Sequence, residues 1–280
     1  MEIVYSVKDM QHAADKLKHS NLSIGFVPTM GYLHDGHLAL IRQAKEDNDI
    51  AIVSIFINPM QFSPSEDLDK YPRDFERDEM LCEQNGVDYI FYPSKEDMYP
   101  EGFQTYVSVD KLTKVLEGAS RPTHFRGVTT VVNKLFNIIK PDKAYFGKKD
   151  AQQLLVIKRM VKDLNMNIEI VGMSIIREND GLAMSSRNKY LNPDERKNAI
   201  CLYRSLNRAQ ELIKLGVNSA DIIKYEMRKI VKSYKYTKID YISINRINDL
   251  SELDTIEKQN TLVSLAVFVG NTRLIDNIWI

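Results

Sequence analysis

The chain has 280 residues, 44% of them apolar, which suits one large globular domain or two smaller ones. Lysine plus arginine and aspartate plus glutamate each number 38, so a bulk electrostatic pull toward nucleic acid or an anionic membrane is excluded, although a local basic pocket is not. The two cysteines, Cys82 and Cys201, are too few and too far apart for a disulfide framework or a structural zinc site, and read as ordinary buried or half-buried thiols.

In chain order, residues 1–6 carry neither the basic nor the apolar stretch of a leader, and the longest apolar run, residues 50–57, is too short to span a bilayer. The expectation is a soluble cytoplasmic protein with no nucleic-acid or membrane partner. Ser6 caps a helix, with Asp9 at the capping-box position and Val7, Met10, Ala14 and Leu17 as its apolar stripe. A buried strand over residues 22–27, a helix from Leu38 to about Glu46 and a strand over 50–57 follow. The last is apolar almost throughout, as in a parallel strand covered on both faces. Strands at 88–92, 143–146 and 168–171 alternate with helices at 75–84, 128–139 and 152–164, which predicts βαβ units and a doubly wound parallel sheet.

After Asn188 the pattern changes. Asn192-Pro193-Asp194-Glu195 joins an N-cap, a first-turn proline and a capping-box Glu, and opens a long amphipathic helix ending near Gly216. Ser219 starts another helix with Ile222, Ile223, Met227, Ile230 and Val231 on its buried side, and strands follow at 238–245 and 261–269. The predicted domains are therefore a Rossmann-like α/β domain over 1–188 and a smaller α+β domain over 189–280, hinged at Tyr190-Leu191-Asn192.

Four loops between these elements carry candidate chemistry. In Met30-Gly31-Tyr32-Leu33-His34-Asp35-Gly36-His37, two histidines lie at a strand-to-helix turn, where helix N–H groups favour an anion and where open α/β sheets bind ligands. Imidazoles three residues apart share one helix face, and Gly31 and Gly36 let backbone approach a phosphate. The pair alone would also suit surface turn residues or half of a metal site; His12, His19 and His124 offer no evident third ligand by spacing. Next, Asn58 and Gln61 follow the 50–57 strand in a turn stiffened by Pro59 and Pro64, presenting carboxamides that both donate and accept, as a hydroxy acid would require. Gly147-Lys148-Lys149-Asp150 is again strand, glycine turn and helix, with lysines suited to phosphate and Asp150 able to hold Mg²⁺ or orient a lysine. Finally, Met184-Ser185-Ser186-Arg187 supplies hydroxyls and a bidentate cation near the hinge.

Taken together, Pro28-Thr29-Met30-Gly31 with Leu33-His34 and Gly36-His37, Asn58-Pro59 with Gln61-Phe62, Tyr71-Pro72-Arg73, His124-Phe125-Arg126-Gly127, Phe146-Gly147 with Lys149-Asp150 and Gln152-Gln153, and the run from Asp180 to Asn188 resemble the pantoate–β-alanine ligase family. The resemblance covers residues 22–191 in order and is weaker beyond. It implies a Rossmann-like nucleotidyltransferase domain of the H-x-G-H superfamily, a C-terminal lid domain and a homodimer. The implied reaction joins ATP and (R)-pantoate to pantoyl adenylate with loss of pyrophosphate, after which β-alanine displaces AMP to give pantothenate. By motif, Met30 to His37 would contact ATP, with His34 and His37 at its phosphates and His37 as proton donor. Gly147, Lys148, Lys149, Asp150, Ile176, Met184, Ser185, Ser186 and Arg187 would also bind ATP. Gln61 and Gln153, with Asn58, would bind pantoate, and Gln61 would lie near β-alanine. Lys149 joins the histidines as a catalytic candidate, and Asp150 is the candidate Mg²⁺ ligand.

Three positions depart from the family pattern: Thr123 replaces a Gly, Ala151 an aromatic and Lys148 a Glu. The register of Lys149-Asp150-x-Gln152-Gln153 makes Lys149 the phosphate lysine. Attack of a carboxylate on the α-phosphorus needs positioning and charge stabilisation, which these groups supply. No residue stands out as the base for β-alanine; a water, the leaving phosphate or a histidine would serve. The rival expectation is another H-x-G-H nucleotidyltransferase acting on a small acid or a phosphorylated acceptor. The latter would call for more cations around residues 58–62, where the chain has amides.

Overall fold

The computed structural model describes every residue except 64 and 65, so Pro64 lies outside the described residues. The chain forms two compact units, Met1–Lys148 with Gln152–Ser174, and Lys149–Ala151 with Ile175–Ile280. The change from one to the other thus comes earlier than the 188/189 boundary read from the sequence.

The first unit is built on parallel strands β1 (Glu2–Val4), β2 (Ile24–Thr29), β3 (Ile50–Ile55), β4 (Tyr89–Phe91), β5 (Lys143–Gly147) and β6 (Glu169–Met173), in the order β1-β4-β3-β2-β5-β6. Successive strand side chains face opposite ways, and β2 shows the result. Phe26 meets Phe136 of the helix His124–Ile139 edge-on at 6.3 Å, whereas Val27 packs with Leu38, Ile41 and Ala44 of the helix Asp35–Asp47. Helices therefore cover both faces, as the apolar runs require. The strand order reverses at β2, with β3 on one side and β5 on the other, so the ligand-binding crevice expected at such a switch lies beyond the carboxyl ends of β2 and β5.

Ser6 caps the helix Val7–His19 as predicted, and Met10, Ala14 and Leu17 are its buried residues. β1 was not predicted; three residues are too few to show a period. The helix His124–Ile139 begins before the predicted residue 128; Thr123, at its N-cap, makes no side-chain cap, so the true start carried no signal to read. Ala151 is buried at the start of the helix Ala151–Asp163.

The second unit holds an antiparallel sheet of β7 (Thr237–Arg246), β8 (Thr261–Val269) and β9 (Thr272–Trp279). Leu202, Leu206, Ile223 and Met227 pack with Val263, Leu265 and Val267 in its core. The predicted long helix is two, Pro193–Asn198 and Cys201–Lys214, because the chain tightens at Ala199 and Ile200, where Leu202 N donates to Ala199 O. In the helix Ala220–Lys232, Ile222 is 53% exposed rather than buried. Among the described residues no helix is long and apolar enough to cross a membrane. Cys82 and Cys201 are buried and unpaired, and burial pushes each thiol up to about 12, so both are unreactive at neutral pH.

Candidate active site

The loop after β2 owes its shape to groups outside it. Gly31 (φ +82°) and Tyr32 (φ +52°) are both left-handed; glycine adopts this freely, but Tyr32 must be held there. Thr29 Oγ1 donates to Ser54 O (2.8 Å) and accepts from Gly31 N (3.2 Å). The Asp78 carboxylate then accepts from Tyr32 N (2.6 Å) and Leu33 N (2.7 Å), one oxygen each. Arg77 donates to Leu33 O (2.9 Å), and its guanidinium lies over the Tyr32 ring at 5.4 Å. Asp78 is buried on the helix Phe75–Gln84, and desolvation pushes its carboxyl up while the two N–H bonds pull it back. Sequence reading missed this clamp. The signal was available: Asp78 shares the stripe of Phe75 and Cys82 at helical spacing, so its carboxylate was bound for the interior.

The histidines form a reciprocal cap at the start of the helix Asp35–Asp47. His34 Nδ1 accepts from Gly36 N (3.1 Å), and His37 Nδ1 accepts from His34 N (3.3 Å). The rings stack with centroids 4.0 Å apart. A ring nitrogen that accepts an N–H bond carries no proton, so each neutral imidazole bears its hydrogen on Nε2. Gly36 N, His37 N and Leu38 N are all taken by His34, so what this helix start offers a ligand is the positive end of its dipole with two stacked imidazoles beside it. This turn is built for an anion.

β3 neighbours β2, and its loop meets the first one: Gln61 Nε2 contacts Met30 Sδ at 2.9 Å. Asn58, 1% exposed, has no capacity left for a ligand. Its Nδ2 donates to Gln61 Oε1 and Gly127 O (both 3.1 Å), and its Oδ1 accepts from Met60 N (3.3 Å) and Tyr99 Oη (2.8 Å). Asn58 therefore positions Gln61, whose amide keeps one N–H and one lone pair beyond these contacts. Gly127 permits the fit, since a Cβ there would lie 2.2 Å from Met60 O.

His124, buried, grips the same turn. Its Nδ1 is 2.9 Å from Gln61 O and its Nε2 is 3.3 Å from Arg121 Nη1, and Arg121 also ion-pairs with Glu66. Arginine can only donate, so Nε2 accepts and Nδ1 carries the proton to Gln61 O. Burial, with Arg121 nearby, lowers the His124 pKa to about 4, against 6.5 when unfolded. The folded state therefore binds fewer protons between those values, and stability falls as pH drops from about 6.5 toward 4, by on the order of 3 kcal/mol from this group. Denaturant melts across that window should show wild type losing more stability than His124→Asn; equal losses would contradict the assignment.

At the end of β5, the Lys148 stem lies along Gly172 of β6. Gln152 is buried and spent, accepting from Glu117 N (2.9 Å) and donating to Leu112 O and Val115 O (both 2.7 Å). Gln153 is half-buried, and its side chain makes no hydrogen bond to another described residue, which leaves its amide for a ligand. In the second unit, Lys149 Nζ lies 3.8 Å from Asp150 Oδ1. Ile176 O accepts from Met184 N (3.0 Å), and Ser185 Oγ caps Arg187 N (3.2 Å) to start the turn Ser186–Tyr190. Among the described residues no group of three or more His, Cys, Asp or Glu side chains could hold a metal ion. Asp150 is a single half-exposed carboxylate.

Comparison with known proteins agrees with this chemistry. The family model described as pantoate-beta-alanine ligase matches residues 2–279. A pantothenate synthetase of Caldicellulosiruptor bescii is 59% identical over 99% of this chain and 98% of its own length. The solved pantothenate synthetase of Thermus thermophilus superposes with a TM-score of 0.94 at 44% identity, covering 100% of this chain and 99% of that one. A pantoate-beta-alanine ligase from Francisella tularensis, solved in complex with beta-gamma ATP and beta-alanine, superposes with a TM-score of 0.80 at 35% identity over 100% of this chain and 97% of that one.

Proposed function

The chain belongs to the pantoate–β-alanine ligase family, and from that premise we propose how its residues join the two acids at the expense of ATP. The comparisons favour this ligase over a nucleotidyltransferase acting on another acid or a phosphorylated acceptor. A pantoate carboxylate oxygen attacks the α-phosphorus of ATP, the bond to the β-phosphate breaks, and pyrophosphate leaves. The β-alanine nitrogen, having lost a proton, then attacks the acyl carbon and AMP departs with the mixed-anhydride oxygen.

Both steps load negative charge onto phosphate, and the observation that carries the proposal is the stacked His34–His37 pair that caps the start of the helix Asp35–Asp47 at the carboxyl end of β2. Met30, Gly31, Tyr32, Leu33, Asp35 and Gly36 shape that anion site, with Gly147 and Lys148 at the end of the neighbouring strand. Gln61 and Gln153 hold pantoate, and Asn58 acts by holding Gln61. For the second unit we propose nucleotide contacts from Lys149, Asp150, Ile176, Met184, Ser185, Ser186 and Arg187. Asp150 fits a Mg²⁺ that takes most of its ligands from water and nucleotide phosphates; such an ion would supply further charge neutralisation. A cytoplasmic homodimer completes the proposal.

Steady-state assays with ATP, pantoate and β-alanine should yield one AMP and one pyrophosphate per amide formed. ADP and orthophosphate as the nucleotide products would overturn the adenylate route.

A further inference from the structure

The second unit's proposed nucleotide segments, residues 149–151 and 175–187, are far apart in sequence, yet one dipeptide of β9 holds both. Asn277 Nδ2 donates to Lys149 O at 2.8 Å. Its neighbour Asp276, 2% exposed, takes the Arg177 guanidinium on both oxygens, at 2.6 and 3.0 Å, and accepts from Asn277 N at 2.8 Å. Arg177 opens a small hairpin. It bridges to Ala183, donates to Gly181 O (3.0 Å) and lies over the Tyr203 ring at 4.8 Å. Gly181 is obligatory there, with φ at +100° and the Tyr203 ring 2.1 Å from where a Cβ would sit. The hairpin returns directly into Met184 and the Ser185-capped turn. Packing alone would favour apolar side chains on β9, and two buried polar ones require a reason.

We infer that Asp276 and Asn277 are positioning residues for the ligase reaction, fixing the Lys149 turn and the Met184–Arg187 loop in one register for the nucleotide. The inference rests on the proposal that those segments address ATP. A merely structural role would change stability and leave substrate dependence alone. A positioning role must appear in the KM for ATP, spare the KM for pantoate, and act through Lys149.

The test is a double-mutant cycle on the full-length enzyme. Asn277→Ala should raise the KM for ATP about tenfold, the net worth of one good hydrogen bond, and add little in a Lys149→Met background. Asp276→Asn, which retains one acceptor for Arg177, should shift the KM for ATP likewise and be non-additive with Arg187→Met. Should Asp276→Asn fail to fold, the Asn277→Ala cycle decides alone. The inference is overturned if Asn277→Ala leaves the KM for ATP unchanged, or adds in full to Lys149→Met, while Lys149→Met itself weakens ATP use. If Lys149→Met and Arg187→Met leave ATP use intact, the nucleotide assignment of the second unit fails first and the inference falls with it.

Discussion

His37→Ala should lower kcat by about 10²- to 10³-fold while the enzyme stays folded, because in the proposed reaction it removes one preorganised group that stabilises charge on the leaving phosphates. The half-buried ring also accepts the His34 N–H and stacks on that histidine, so a melt should register a loss of about 1 kcal/mol or less. His34→Ala should lose as much activity and also some stability. His34 is the N-cap of the helix Asp35–Asp47, and deleting a side-chain cap costs about 1 kcal/mol. Thermal melts run beside pantoate-dependent exchange of labelled pyrophosphate into ATP separate lost chemistry from lost stability in both variants. A folded His37→Ala enzyme with near-normal exchange would remove the histidines from the chemistry.

Asp78→Asn is expected to have the next largest effect although Asp78 is only 1% exposed. Each carboxylate oxygen accepts a different backbone N–H, from Tyr32 and from Leu33. An amide there turns one acceptor into a donor facing a donor. Leaving a buried N–H unsatisfied costs about 1–3 kcal/mol, which a melt will register. The functional loss should exceed what unfolding explains. A weakened clamp loosens the left-handed Tyr32, and a shift of about 1 Å in a positioning element can cost about 10²-fold in rate. Measured well below its melting temperature, Asp78→Asn should show a higher KM for ATP and a lower kcat. Unchanged kinetics in a folded variant would mean that the loop keeps its shape by itself.

The parts of this machinery differ in how far they could be read from residues alone. β3 was legible because a parallel strand buried on both faces is apolar nearly throughout. The His34–His37 turn was legible because it combines chemistry-bearing side chains with strand and helix signals on either side. β9 was not. Its buried positions include Asp276 and Asn277, so the alternation that marks a half-buried strand is broken where the strand does its positioning. The roles of Asn58 and Gln61 were separable only in three dimensions: two amides in one turn look alike until four hydrogen bonds exhaust the first. Gln152 and Gln153 repeat the lesson, one amide consumed by the backbone at residues 112–117 and its neighbour left over. Asp78 and His124 share a further reason. They act on backbone atoms of distant loops, and no local pattern records which loop a buried polar group will meet.

In the proposed reaction the site at the start of the helix Asp35–Asp47 serves carboxylate activation by ATP. Rapid quenching of enzyme mixed with ATP and pantoate, before any β-alanine is added, tests it most directly. The expected result is a burst of about one pyrophosphate per active site followed by a stall, and steady turnover once β-alanine is supplied. Pyrophosphate released only when β-alanine is present from the start would contradict it.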